Sequence, residues 1–249
     1  MAIKYLSGNR ISGSSIETPT LGSTADGTIT GATLDTTNKK LGTGCLSLDG
    51  TDDYVEFGST GTFNFLHTPN TKFTICGWFK RSTAESGSLE TLFATFNNGV
   101  SSASGIRVMY DDRSGDGDRS MRFNWQGNAI DISNETLTDQ VFPNDTNWHH
   151  LIITGDLTTT TDAFKIYIDN TLKFSPNLTG TPIDEDHNVA LRFGVEGDGT
   201  DYGNWKLDDW GFFNSVLTSD ERDDLWNGGT GALVSSIDQS GIKAYYSFD

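Results

Sequence analysis

The run FTICGWFK, residues 73–80, is apolar on both faces of an extended strand. Phe73, Ile75 and Phe79 fall on one side, and Thr74, Cys76 and Trp78 on the other. A period of two with both faces apolar describes a strand buried in the middle of a layered sheet. Similar short runs recur along the chain: TLFATF, GIRVMYD, SMRFNW, WHHLIITGD, AFKIYID, VALRFGV, WKLDDWGFF and IKAYYSF. Polar turns separate them, at the spacing of a β-sandwich. Residues rich in Gly, Thr, Ser, Asn and Asp, with Phe 15, Tyr 7 and Trp 6 among 249, suit many short strands and tight turns.

In AFKIYIDNTLKF the pair Asp169-Asn170 predicts a two-residue hairpin turn, because Asn tolerates positive φ. One helix is predicted near 218–227. Thr218 and Glu221 have capping-box spacing, acids fill the first turn, Leu225 and Trp226 give a docking face, and Gly228 or Gly229 ends it. No internal repeat or long linker divides the chain, so we expect one all-β domain over 1–249. Residues 7–44, with little periodicity, read as an irregular N-terminal arm, and 242–249 as a closing strand.

The formal charge is −17, with no Lys/Arg cluster. A phosphate-binding face needs concentrated positive charge, so nucleic acid is excluded as an expected partner, as is an anionic membrane surface. No apolar run approaches the roughly 18 residues of a membrane span, and no membrane insertion is expected. The opening MAIKYLSGNR has no apolar core of a secretory signal, from which we expect synthesis in a cytoplasm. Cys45 and Cys76 are the only cysteines, too few for a disulfide framework or a cysteine zinc site. Two buried thiols are the first reading and a single bridge the second.

The acids pose the functional question. In DGTDD, Asp49, Asp52 and Asp53 can accept backbone N–H bonds around a turn at Gly50 and Thr51. Turn chemistry is the first reading here and a Ca²⁺ contribution the second. DDRSGDGD, residues 111–118, imitates the first half of an EF-hand loop, but Phe123 stands where a bidentate Glu is needed. It reads as an acidic hairpin tip, and EGDGTD, residues 196–201, more weakly still. His149 and His150 are strand neighbours facing opposite ways and cannot share one ion, so packing is their expected role.

No Glu-x-Asp-x-Glu strand motif and no Gly-x-Ser-x-Gly turn occurs, so we do not expect an enzyme. Trp125, Tyr202 and Trp205 fall in or beside loops, where a flat ring can stack on a sugar. Asn124, Asn128 and Asn204 lie close enough in sequence to bond hydroxyls. Core or subunit packing is the competing role for each aromatic.

The order LSLDGTDDYVEF, FTICGWFKRS, NWHHLIITGD, FKIYIDNTL, LRFGV and WKLDDWGFFNSVLTSDERDDLWN, over about 41–229, resembles the laminin-G-like, concanavalin A-like jelly-roll family. The resemblance implies two antiparallel sheets and a carbohydrate or protein ligand. It also implies a structural Ca²⁺ near Asp208 and Asp209, with Asp26 and Asp249 as further ligands. Strand neighbours face apart, so only one of Asp208 and Asp209 is expected to point at any one ion.

Two departures stand out. The family's hairpin Asp-Gly is Asp169-Asn170 here, and its opening strand, of the type AYYSFD, stands at the end, residues 244–249. The chain is then permuted in effect, and TADGTITGATL resembles the loop that follows that strand. MAIKYLSGNRISG together with the ending is similar to virion surface proteins of marine tailed phages and related environmental viruses.

The expectation is therefore a non-enzymatic virion or extracellular surface protein of decoration, fibre or adhesin type, made in the host cytoplasm. Its partners would be other coat subunits and host-surface glycans, and it would be a homo-oligomer. A concanavalin A-like glycan hydrolase, or a purely structural decoration protein, stands as the alternative.

Overall fold

The computed structural model describes residues 11–12, 15–16, 26–83, 87–95, 105–111, 120–125, 143, 145–178, 182, 184 and 189–249. The first strands are β1 (Ile11–Ser12), β2 (Ser15–Ile16), β3 (Gly27–Thr30), β4 (Thr33–Asp35), β5 (Cys45–Ser47) and β6 (Tyr54–Phe57). Next come β7 (Lys72–Arg81), β8 (Leu89–Ala94), β9 (Ile106–Asp111), β10 (Ser120–Trp125), β11 (His149–Asp156) and β12 (Phe164–Ile168). The chain ends with β13 (Thr171–Phe174), β14 (Leu191–Phe193), β15 (Trp205–Phe213), helix α1 (Ser219–Trp226) and β16 (Ile242–Tyr246).

The strands form two antiparallel sheets. Sheet A runs β1-β2-β3-β6-β14-β8-β9-β10, and sheet B runs β13-β12-β11-β7-β15-β5-β4. β16 lies beside β5 along the same side of β15, pairing Trp210–Phe213 while β5 pairs Lys206 and Leu207. The jelly-roll sandwich expected from the alternation is therefore the fold.

Alternation decides what lies between the sheets. Val55, Phe57, Val108, Phe123, Leu191 and Phe193 from sheet A meet Phe73, Ile75, Phe79, Ile153, Ile166 and Phe212 from sheet B. Each full burial of such a side chain contributes about 1.5–3 kcal/mol. The other face of sheet B carries a second apolar layer: Cys76, Ile152, Tyr167, Phe213 and Tyr245 pack against Leu217, Leu225, Val234 and Ile237. Residues 214–241, including α1, thus cover this face, and β7 is apolar on both sides for that reason. Gly77 is needed where β7 passes Trp210, since a Cβ there would meet the indole at 2.3 Å.

Local signals held at the helix and the hairpin. Thr218 and Glu221 form the reciprocal capping box at the start of α1. Asp169 and Asn170 both take positive φ between β12 and β13, the geometry of a two-residue hairpin. The C-cap differs from expectation: Asn227 itself turns left-handed, ahead of Gly228.

The irregular arm is a larger correction. Of 7–44, the segment from 26 onward is part of both sheets, with β3 paired to β6 and β4 to β5. These strands are three or four residues long, too short for their alternation to stand out, and the sheets they join supply the order. Residues 1–10, 13–14 and 17–25 lie outside the described residues. The closing strand is shorter than expected, ending at Tyr246, with Ala244 and Tyr246 in the core.

Candidate functional site

The paired acids lie on β15 at an irregularity. The register with β7 shifts between Asp208 and Gly211, and Asp209 has φ 53. The left-handed residue costs about 1–2 kcal/mol for a side chain other than glycine. It also breaks the two-residue period: Leu207 and Trp210 both face the core, so Asp208 and Asp209 both face outward. The expectation that they point to opposite faces is therefore corrected.

Facing the same way, they serve different elements. Asp208 Oδ2 accepts from the amides of Lys40 and Leu41, each at 2.8 Å. Asp209 Oδ2 accepts from the Val234 amide at 2.7 Å and Oδ1 from the Tyr245 hydroxyl at 2.5 Å. Burial pushes Asp208 up to about 8 and Asp209 up to about 7, with these donors working against it. The Asp249 carboxylate accepts from the amide and hydroxyl of Thr43. Asp26 is exposed beside β3, and its backbone oxygen accepts from Gly58.

Calcium needs six to eight oxygens. Asp208 Oδ2 and both Asp209 oxygens are taken by N–H and O–H donors and only Asp208 Oδ1 is left without a partner, so the pair does not supply the oxygen set of the ion the resemblance implies. Among the described residues the one set of three carboxylates spaced to share a cation is Asp49, Asp52 and Asp53. There Asp53 Oδ2 accepts from the Asp49 amide and Asp49 Oδ1 from the Thr51 amide, with Gly50 at φ 79. That is turn chemistry.

Two of the expected stacking rings lie in the core. Trp125 donates to the Leu66 carbonyl at 2.8 Å and Trp205 to that of Thr91 at 2.9 Å, and both are buried. Neither presents a face to a ligand. Their alternation places them inward on β10 and β15, where the indole N–H finds a backbone acceptor. Asn124 is buried too, its Oδ1 accepting from Arg107 Nε and Nη2. Tyr202 and Asn204 are half-buried in the loop before β15. Asn128 and most of the 111–118 tip lie outside the described residues.

A different arrangement emerges on the outer face of sheet A. Thr28, Glu56, Arg192, Ala94, Arg107 and Asn124 stand directly opposite one another across β3, β6, β14, β8, β9 and β10. At about 4.8 Å per strand the row spans about 24 Å. Arg192 Nε donates to Glu56 Oε2 at 2.7 Å and Nη1 to the Gly197 carbonyl at 3.2 Å, with the guanidinium 5.4 Å from the Tyr54 ring centre. At the other end Arg107 Nη1 donates to Glu196 Oε1 at 2.7 Å. Burial raises the Glu196 pKa, while Arg107 pulls it down.

The row is buried at β8–β10 and open at β3–β14, where Thr28 and Thr30 are exposed and Tyr54, Glu56 and Arg192 half-exposed. Sequence reasoning passed over it. The only signal was charged and aromatic residues at every second position of short strands, which looks the same on any solvated face.

Other polar groups among the described residues are held by partners within the fold. His149 lies between Asp145 and Asp169, and His150 stacks on Trp78 with ring centres 4.8 Å apart. Burial pushes His150 down to about 3. Arg81 and Glu90 pair between the two sheets at 3.3 Å, the guanidinium 3.9 Å from the Tyr110 ring centre. Cys45 and Cys76 are free and buried, and burial pushes the Cys45 thiol up to about 12.

A jelly-roll sandwich with a polar outer sheet defines a lectin-like or glucanase-like class. The family model of the concanavalin A-like lectin/glucanases superfamily matches residues 49–221, and the protein belongs to that superfamily. Among solved structures, it is similar to Trypanosoma rangeli sialidase in complex with 2,3-difluorosialic acid, with TM-score 0.61 and 13% identity. That match covers 90% of this chain and 33% of the sialidase chain. It is also similar to the receptor binding domain of botulinum neurotoxin D, with TM-score 0.54, 16% identity, and coverage of 87% of this chain and 53% of that one. The chain spans about half the neurotoxin chain and a third of the sialidase chain, and at these identities the likeness is one of fold. No curated protein matches the sequence.

Proposed function

We propose that the protein is a non-enzymatic binding and display module, carried on a virion or another extracellular surface, that takes a glycan on the open half of sheet A. The observation that carries this is the inequality of the two outer faces. Sheet B is covered by α1 and its flanking segments, whereas Thr28, Thr30, Tyr54, Glu56 and Arg192 of sheet A remain open. An aromatic ring beside a fixed guanidinium and carboxylate suits the mixed apolar and hydroxylated faces of a sugar. Among the described residues the buried carboxylates Asp53, Glu90, Asp111, Glu196, Asp208 and Asp209 each have at least one oxygen tied to a cation or to an N–H donor. This supports a binding role over hydrolysis.

The virion setting rests on the resemblance read in the sequence of MAIKYLSGNRISG and the ending, and on an acidic charge that disfavours nucleic acid. In that setting the protein is a multi-copy homo-oligomer that also contacts other coat subunits.

A glycan array, followed by titration of each hit, tests the binding reading. Retention without product release, lost in Tyr54→Ala and Arg192→Ala, is the expected result. Product release would establish a hydrolase, and an array without hits would leave a structural decoration role. Mass spectrometry of purified particles tests the setting, and absence from particles overturns it.

A further inference from the structure

His149 is the first residue of β11, and both of its ring nitrogens face carboxylates. Nδ1 lies 2.7 Å from Asp169 Oδ2, and Nε2 lies 2.9 Å from Asp145 Oδ1. A neutral imidazole has one N–H and can donate to only one of them; the imidazolium donates to both. The side chain is 14% exposed, so water does little to replace a lost partner.

The two acids belong to different elements. Asp169 is the left-handed first residue of the β12–β13 hairpin turn, and its Oδ1 also accepts from the His150 amide at 3.0 Å. Asp145 belongs to the turn leading into β11, where its Oδ1 accepts from the Asn147 amide at 2.7 Å. We propose that His149 is a proton-operated clamp: as imidazolium it ties the 145–148 turn to the 169–170 hairpin, and on losing its proton it releases the turn.

The charges around it favour the closed state. From β7 the ring meets Phe79, which is uncharged, with ring centres 5.9 Å apart. His150, next in the strand, is kept neutral by burial and does not compete. Beyond Asp169 stands Lys40, attracted by both Asp169 and Asp208. Lys40 Nζ donates to the Gly229 carbonyl at 2.6 Å and sits 4.1 Å from the Trp78 ring centre. Asp145, His149, Asp169 and Lys40 thus alternate in sign along one end of sheet B, His149 on the side of Phe79 and Lys40 on that of Trp78. Burial opposes the imidazolium, yet the two carboxylates outweigh it and raise the His149 pKa. A histidine raised in this way contributes its stability fully below the unfolded value of about 6.5 and loses it as pH rises through the folded value.

The test is a ¹⁵N imidazole titration of the full chain, with amide hydrogen exchange followed over residues 145–149 and 168–171. Between about pH 6 and about pH 9, His149 is expected to pass from doubly to singly protonated. Exchange at 145–149, corrected for its intrinsic pH dependence, is expected to rise about tenfold relative to that of the sheet-B core. His149→Gln should show the fast exchange at both pH values. Asp145→Asn, at a half-exposed position, should lower the His149 pKa and move the opening to lower pH, and it serves if the first variant does not fold. A His149 that is neutral below pH 6.5, or corrected exchange at 145–149 that ignores pH in the unsubstituted chain, overturns the clamp.

Discussion

The Tyr245 hydroxyl donates to Asp209 Oδ1 at 2.5 Å, joining the last strand to the bulge in β15 beneath the covering segment. The same carboxylate holds the Val234 amide, so one buried acid fixes β16, β15 and the turn after α1 together. Burial raises its pKa to about 7 and that of Asp208 to about 8.

Stability should therefore fall on the alkaline side of neutrality. An acid whose folded pKa is raised contributes stability fully below the unfolded value of about 3.9 and loses it as pH rises through about 7–8. His150, depressed to about 3, contributes above about 6.5 and loses its share in acid. Denaturant melts should show stability declining from about pH 6.5 to about pH 8, with a shallower decline in Asp209→Asn. An Asp209→Asn profile parallel to that of the unsubstituted protein would refute the assignment. Asp209→Ala, which strands two buried donors, should cost about 2–4 kcal/mol at any pH.

The Arg81–Glu90 pair lies between the sheets, with both side chains buried. Glu90→Leu or Arg81→Met alone should cost about 3–5 kcal/mol, because each leaves an uncompensated charged group in the core. The double change Arg81→Met with Glu90→Leu should recover most of the loss. Chemical denaturation of the four proteins measures this, and additive single losses would show that the two side chains do not act as a pair.

Deleting 242–249 removes a strand that pairs Trp210–Phe213 and places Ala244, Tyr246 and Phe248 in the core. The truncated chain should be insoluble or unfolded, since an inner edge and several buried aromatics are uncovered together. A soluble truncation with an unchanged melting curve is the contrary outcome.

Calcium should not act through β15. An ion held there would raise the melting point by mass action, about 2.7 kcal/mol at a hundredfold excess over its dissociation constant. Melts in EDTA and in excess CaCl₂ should respond identically in the unsubstituted protein and in Asp208→Asn. A calcium-induced rise that Asp208→Asn abolishes would restore the ion to Asp208.

By itself the sequence determined the sandwich, because its signals are local. The alternation in FTICGWFK fixed both faces of β7, the Thr218–Glu221 box set the start of α1, and Asp169-Asn170 set the hairpin. What lay beyond it were features made by residues distant in the chain. The bulge that turns Asp208 and Asp209 to one side lies where β5 gives way to β16 along one edge of β15, while β7 pairs with both halves on the other. β3 and β4 are strands because β6 and β5 lie alongside them. Trp125 and Trp205 look like loop aromatics until pairing sends their rings inward. Period-two patterning states that a residue faces one of two sides. Only the packed sheets decide which side is core, which is covered, and which is open to a partner.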